Sequence, residues 1–177
     1  MSMAILKPNY NILLLPLLLI TLLFLIPILG NPQTDELINK ICRSTEDYEF
    51  CYKIFHENMK SPSTHIVGLA RITIDEATNN ASNNLYFVGK LVRQEKDEKK
   101  WYLLMQCIYG YDQALGTFQL ASDYLNRRDF KQTLSAFWNA PFQLRNYTSL
   151  FSMTPIGARN EQMRKLMGMA ILTGLNF

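Results

Sequence analysis

The sequence predicts an all-α protein in which an N-terminal helical hairpin precedes an antiparallel four-helix bundle. The main observation is the segment 101–125, where apolar residues recur at alternating steps of three and four. That spacing places them on one side of an α-helix, as a seam that a bundle buries. As one helix the segment would be about 37 Å long, and no stretch of the chain shows the period-two alternation of a strand. The seam comprises Leu104, Cys107, Tyr111, Ala114, Phe118, Ala121 and Leu125.

The first thirty residues predict a signal peptide. An apolar run from Ile12 to Leu29 follows Lys7 and ends at Gly30, which is the order of a secretory signal. The run is near the lower length limit for crossing a bilayer, so an uncleaved signal-anchor is the alternative. We therefore expect a secreted protein, located in the extracellular space or cell wall and free of the membrane after cleavage. Residues 31–177 would then form one domain.

Two cysteines mark the predicted hairpin. Thr34 or Asp35 can cap a first helix that reaches Cys42, and a second helix runs from Cys51 to a stop near Pro62. The cysteines are too far apart for a redox CxxC motif, and no histidine pair accompanies them for zinc. In an oxidising compartment the economical interpretation is a disulfide between Cys42 and Cys51, which closes the hairpin.

A third helix is predicted from Ser63 or Thr64, either of which can act as its cap. Its apolar face reaches Ala77, and the same spacing resumes over residues 85–93. The stretch between them, NNASNN at 79–84, is weak helix material. It could form a kink, a junction between helices or a solvated helix surface.

Two more helices complete the predicted bundle after the 101–125 segment. Asp129 can cap the first of them, and Pro141 should bend or break it. The apolar face of this helix comprises Phe130, Thr133, Leu134, Phe137 and Trp138. The second starts at about Ile156 or Arg159 and ends at Leu175. Its predicted inward face comprises Met163, Leu166, Met167, Ala170 and Ile171.

Charge and titratable residues favour a binding protein over an enzyme or a nucleic-acid-binding protein. The chain carries 18 basic and 15 acidic residues, mixed in sign and without the basic patch of a nucleic-acid surface. His56 and His65 lie on different predicted elements, without the partners of a metal site or a catalytic triad. Acidic pairs such as Glu46–Asp47 are explained by solvated helix faces. We predict no catalytic residue, no metal and no cofactor.

Two sequons are candidates for N-glycosylation if the chain is exported. They read Asn80-Ala81-Ser82 and Asn146-Tyr147-Thr148. A glycan on either asparagine requires passage through the secretory pathway.

Three stretches resemble the plant invertase and pectin methylesterase inhibitor family, in particular its pollen-allergen and invertase-inhibitor-like branch. They read ICRSTEDYEFC in the hairpin, CIYGYDQAL in the long segment and RRDFKQTLSAF after it. The resemblance covers roughly Asp35 to Leu175. It implies a secreted, all-helical inhibitor that forms a one-to-one, non-covalent complex with a cell-wall or vacuolar carbohydrate enzyme.

The chain departs from this family at one cysteine. The family carries four framework cysteines, and Leu144 stands where the fourth would fall. Cys107 matches the third and is therefore expected to be a free, buried thiol on the seam. The missing bridge would contribute about 4 kcal/mol through loop closure, of which a leucine packed on a thiol recovers about 1–2 kcal/mol. We expect a looser bundle, which Leu144→Cys should stabilise if the two helices face each other.

The predicted target contact is the junction after the long segment. Some invertase-inhibiting relatives carry a Pro-Lys-Phe phrase there, which the resemblance implies enters the enzyme cleft. This chain has Arg127, Arg128 and Phe130 instead. Without the proline the turn is less rigid, which weakens association. The broad bundle face that the resemblance implies for pectin methylesterase shows no such loss.

Three hypotheses on function follow in order of preference. The first is a monomeric inhibitor of pectin methylesterase, with invertase as the alternative target. The second is a non-inhibitory helical scaffold or a membrane-anchored paralogue. The third, an enzyme, lacks any marked catalytic group.

Overall fold

A computed structural model describes residues 31–144 and 155–177, with side chains at 31–140 and 156–177. The predicted signal peptide at 1–30 and the sequon asparagine Asn146 lie outside the described residues. No helix of the described part is both long enough and apolar enough to span a membrane. The described residues form six helices and no strand: α1 (Pro32–Cys42), α2 (Tyr48–Asn58), α3 (Ile66–Gln94), α4 (Glu98–Asn126), α5 (Phe130–Leu144) and α6 (Pro155–Gly174).

The last four helices form the bundle. Helix α4 packs between α3 and α5, and α6 closes the bundle by contacting both α3 and α5. The hairpin of α1 and α2 lies against α3 and α6. The predicted fold class is therefore confirmed.

The cap of helix α1 lies three residues before Thr34 and four before Asp35, the two caps predicted for it. Asn31 is the cap, and its side-chain oxygen accepts a hydrogen bond of 3.0 Å from the Gln33 N–H. Pro32 follows at the first helical position, which suits proline because its missing N–H would have had no helical partner. Thr34, a predicted cap, instead lies buried inside the helix and donates to the Thr64 carbonyl at 3.0 Å.

Helix α2 also begins before the predicted residue. Asp47 caps it by accepting from the Phe50 N–H at 3.0 Å. The helix therefore contains Cys51 within its second turn, and the short turn 43–47 connects it to α1.

Helix α3 is continuous from Ile66 to Gln94. The NNASNN stretch is helical throughout, so it is not a junction; most of it is a half-buried or exposed helix surface, while Ala81 and Asn84 are buried. His65 occupies the cap position and makes no side-chain capping bond. The predicted caps Ser63 and Thr64 are therefore wrong.

Helix α4 contains the predicted seam. All of its seam residues are at most 5% exposed. Asp97 caps the helix by accepting from the Lys100 N–H at 2.9 Å. The helix begins three residues before Trp101 and ends one residue after Leu125. The spacing of the apolar residues therefore predicted both ends of this helix to within three residues.

Helix α5 differs from its prediction at two residues. Asp129 caps it as predicted, accepting from the Gln132 N–H at 3.1 Å. Trp138, assigned to the apolar face, is 56% exposed, because the core-facing stripe runs through Thr133, Phe137 and Ala140 and leaves position 138 turned about 100° away. The helix also continues past Pro141 to Leu144. A proline in the last turn removes a single backbone bond there, and the helix tolerates that loss.

Helix α6 buries Met163, Leu166, Met167 and Ala170 as predicted, whereas Ile171 is half-buried. Its close packing against α5 depends on a glycine. A β-carbon at Gly174 would lie 2.9 Å from Leu134 Cδ1 and 2.9 Å from Phe137 Cδ2.

Candidate target-binding surfaces

The turn between α4 and α5 carries the two predicted arginine contacts. Arg128 has a φ of 58°, in the left-handed region. Its N–H donates to the Leu125 carbonyl at 3.0 Å, and the Asp129 N–H donates to the Tyr124 carbonyl at 2.9 Å. These two bonds form the Schellman motif that ends many helices, usually with glycine at the left-handed position. Arginine at this position costs about 1–2 kcal/mol but places a cation at the tip of the turn.

The three predicted contact residues differ in how free their side chains are. Arg127 and Arg128 are exposed. The Arg127 guanidinium lies 5.0 Å from the ring centroid of Tyr124. Phe130 is only partly exposed, because its ring stacks on that of Phe177 with 4.9 Å between centroids. The turn therefore presents two cations together, whereas the aromatic residue is packed against the C-terminus.

A second surface, which the sequence analysis did not single out, runs along α4. Tyr102, Met105, Tyr109 and Leu120 are between 36% and 59% exposed. At about 100° per residue these positions share the side of the helix opposite the seam. Gly116 belongs to the same side, and a β-carbon there would meet nothing within 4 Å. We call these five residues the α4 outer stripe. The signal in the sequence was the set of large apolar residues that do not fit the seam.

The structure joins Cys42 and Cys51 in a disulfide with 5.4 Å between the α-carbons. Cys107 is a free, buried thiol on the seam. Burial raises the pKa of this thiol to about 11, because a thiolate loses its hydration in the core. Leu144 ends α5, but its side chain lies outside the described residues, so its contact with Cys107 stays a prediction.

The first glycosylation candidate lies within a helix. Asn80 is half-buried in α3, and its side-chain oxygen accepts a hydrogen bond of 2.8 Å from Asn84. The oxygen of Asn84 in turn accepts from Arg159 of α6 at 3.0 Å. Asn80 therefore contributes to a polar contact between α3 and α6, and glycan attachment to it stays a prediction.

The histidines and the acidic pair do not assemble a reactive site. His56 lies 3.9 Å from Asp35 across the hairpin, whereas His65 is at the start of α3. Glu46 and Asp47 pair with cations of α6. Within residues 31–144 and 155–177, no group of three or more potential metal ligands comes together.

The described residues thus form a disulfide-closed hairpin on a four-helix bundle, with two exposed arginines at the turn between α4 and α5 and an exposed apolar stripe on α4. Residues 36–142 match the family described as plant invertase/pectin methylesterase inhibitor. The chain belongs to this family.

One curated relative is the cell wall / vacuolar inhibitor of fructosidase 2 of Arabidopsis thaliana. It is 30% identical over 107 residues, and the match covers 59% of this chain and 59% of the relative. This chain therefore matches less than two thirds of the relative's length.

Two solved structures share the fold. A mutant form of a pectin methylesterase inhibitor from Arabidopsis has a TM-score of 0.69 and 17% identity, with 78% of this chain and 95% of that chain covered. A pectin methylesterase inhibitor from Arabidopsis thaliana has a TM-score of 0.59 and 17% identity, with coverages of 78% and 93%. At this identity the likeness concerns the fold alone.

Proposed function

We propose that this protein inhibits a plant carbohydrate enzyme of the cell wall by forming a one-to-one complex that covers the enzyme's active-site cleft. The observation that carries the proposal is the family match over residues 36–142, which includes most of the hairpin, α3, α4 and most of α5. An inhibitor of this kind acts through the shape and chemistry of its surface. The arginine turn and the α4 outer stripe are the two surfaces that suit this role.

Pectin methylesterase is the first candidate target, and the α4 outer stripe supports it. Exposed apolar residues grouped on one surface mark interaction sites, and tyrosine and methionine are enriched in the cores of protein interfaces. The stripe extends from Tyr102 to Leu120, about 27 Å along the helix. That length suits a standard interface of about 800 Å² per partner, in which a helix flank lies across a broad enzyme surface.

Invertase is the second candidate, favoured by the relative that inhibits a fructosidase and by the arginine turn. A glycoside hydrolase cleft contains two carboxyl groups, so paired cations complement it and increase the association rate. The backbone bonds of Arg128 and Asp129 hold the turn in one shape. These bonds therefore supply part of the turn rigidity that a proline gives in some invertase-inhibiting relatives.

Inhibition assays on both enzymes test the proposal. The stripe variant Tyr102→Ala/Tyr109→Ala removes exposed rings, and the turn variant Arg127→Ala/Arg128→Ala removes both cations; both leave the core intact. If pectin methylesterase is the target, the stripe variant should inhibit it at least about tenfold less well, and the turn variant should match the wild type.

Selective invertase inhibition that the turn variant abolishes would establish the second candidate instead. No inhibition of either enzyme by the wild-type protein would contradict the proposal and favour the helical scaffold. Gly89→Ala on α3 lies outside both surfaces, and a β-carbon there would meet only Arg93 Nη1, at 3.8 Å. It serves as a folded control that should inhibit like the wild type.

We also propose that the protein is exported and cleaved near Gly30. Asn31 already belongs to the folded domain, since its side chain caps α1 and donates to the Ser63 hydroxyl at 3.0 Å. N-terminal sequencing from a plant secretory host should find a start within a few residues of Asn31. An intact Met1 or Ser2 start in membrane fractions would contradict cleavage and support the signal-anchor.

A further inference from the structure

We propose that a groove between the hairpin and α6 binds one ring of a neutral sugar. We call it the hairpin groove. Its volume is about 260 Å³, and it lies between the turn 44–47, the start of α2, Trp138 of α5 and residues 164–172 of α6. That volume is slightly below the range of about 300–1,000 Å³ typical of small-molecule sites, which suits a single ring better than a larger ligand.

Trp138 supplies the apolar side of the groove. It is 56% exposed, so its ring is accessible to a ligand in the groove. Among the described residues, no acceptor bonds its indole N–H. A pyranose ring offers a flat face of C–H groups that can stack on an indole and hydroxyls around its edge that can accept from the N–H. Trp138 therefore has both features needed to hold a sugar ring.

The polar side of the groove carries balanced charge. Arg164 pairs with Glu46, and Lys165 pairs with Asp47 at 2.7 Å. Because each cation already has a carboxylate partner, the groove provides no unpaired positive charge for a phosphate or a uronate. The Glu46 carboxylate can accept a hydrogen bond from one sugar hydroxyl, while the Arg164 guanidinium beside it can donate to the next. Among the described residues, the Oε1 atom of Glu46 accepts no hydrogen bond and is available for a ligand hydroxyl.

The groove is held in shape before any ligand binds. The turn that forms one wall is closed by the disulfide between Cys42, which ends α1, and Cys51, within α2. The ion pairs fasten this turn to α6, and Thr45 donates to the Cys42 carbonyl at 2.7 Å. Gly168 lines the groove on the α6 side, where a β-carbon would meet nothing within 4 Å. A preformed site loses little entropy on binding. The absence of a side chain at Gly168 leaves space that a sugar ring can occupy.

Tryptophan fluorescence tests this proposal directly. The chain has two tryptophans, so Trp101→Phe leaves Trp138 as the only indole reporter. Titration of this variant with cellobiose, a neutral disaccharide, should shift the emission in a saturable way. Digalacturonate should bind at least about tenfold more weakly, since its carboxylates meet no unpaired cation. No change up to the solubility limit of cellobiose, or stronger binding of digalacturonate, would overturn the proposal.

Two glycine variants locate the binding site. Gly168→Leu fills the groove and should weaken cellobiose binding at least about tenfold, whereas Gly116→Leu adds the same side chain to open space on α4 and should leave it unchanged. If Gly168→Leu does not fold by circular dichroism, Trp138→Ala provides the second test. That variant removes an exposed ring and should weaken binding, measured by calorimetry, about tenfold.

The result is independent of the target enzyme, because cellobiose binding is measured without it. Unchanged cellobiose binding by folded Gly168→Leu, or by Trp138→Ala, would place the sugar elsewhere and overturn the proposal. If the wild-type protein binds no cellobiose and Gly168→Leu loses enzyme inhibition, the groove is instead part of the protein interface.

Discussion

At the scale of single residues, Arg128 is the described non-glycine residue with a positive φ. We expect Arg128→Gly to raise the unfolding free energy by about 1 kcal/mol, because glycine adopts the left-handed conformation without the steric penalty of a β-carbon. For a domain of this size the melting temperature should rise by about 2–5 °C, measured by thermal circular dichroism.

Arg127→Gly is the matched control for this change. Arg127 has a φ of −83°, where glycine gains nothing, so the control should be neutral or destabilising. A loss of stability in Arg128→Gly would mean that the arginine side chain stabilises the turn by more than the backbone penalty.

Burial also alters the chemistry of the Cys107 thiol. With its pKa at about 11, only about one thiol in a thousand is a thiolate at pH 8, and burial hinders access further. We expect alkylation of the native protein, without reduction, to label Cys107 slowly and no other cysteine. Labelling should become fast in denaturant, as followed by peptide mapping. Fast labelling of the native protein, or a covalent dimer through Cys107, would place this thiol outside the core.

At the scale of helices, two glycines of α6 should respond oppositely to the same change. Gly174→Ala would force a β-carbon to within 2.9 Å of Leu134 and Phe137, and overpacking of this kind costs about 1–3 kcal/mol. Gly168→Ala meets open space and should stabilise the helix by up to about 1 kcal/mol. Urea unfolding of the two variants measures both effects.

Equal effects of the two substitutions would contradict the close contact between α5 and α6 at Gly174. The wild-type protein and Gly116→Ala, another glycine in open space, provide the reference values for this comparison.

Sequence patterns predicted the presence of each helix better than its start. The seam of α4 was found because a periodic signal over many residues averages out local exceptions. The starts predicted for α1, α2 and α3 were wrong, because neighbouring polar residues compete for the cap and backbone geometry selects among them. At α1, Asn31 became the cap because Pro32 suits the first helical position, and Thr34 was left to bond Thr64.

At the scale of the whole molecule, the hairpin makes few contacts with the bundle, and its disulfide joins its own two helices. We expect Cys42→Ser/Cys51→Ser to lower the unfolding free energy by about 2–3 kcal/mol, since the bridge limits the freedom of the unfolded chain. Denaturant unfolding measures this loss. The variant should also lose cellobiose binding, because the turn 44–47 forms a wall of the hairpin groove.

A stability equal to that of the wild type would show that the ion pairs from Glu46 and Asp47 to α6 suffice to hold the hairpin.

Lys165→Met in the disulfide-bonded protein is the control for this outcome. It removes the pair with Asp47, whose pKa is held below its usual range by the hydrogen bonds from Lys165 and from the Phe50 N–H. The stability that Asp47 contributes is present above its unfolded pKa and is lost as pH falls through its folded pKa, so this variant should differ least from the wild type in strong acid.

The sequence by itself determined the all-α class, the buried seam of α4 and the pairing of Cys42 with Cys51. Each of these follows from residues close together in the chain, whose spacing sets a helix face or a short loop. Only the tertiary structure decided that Trp138 is exposed, that α4 has an apolar outer side and that a groove exists beneath the hairpin. The pairs Glu46–Arg164 and Asp47–Lys165 join residues 118 positions apart. Local periodicity carries no information on such contacts, because the packing of whole helices brings them together.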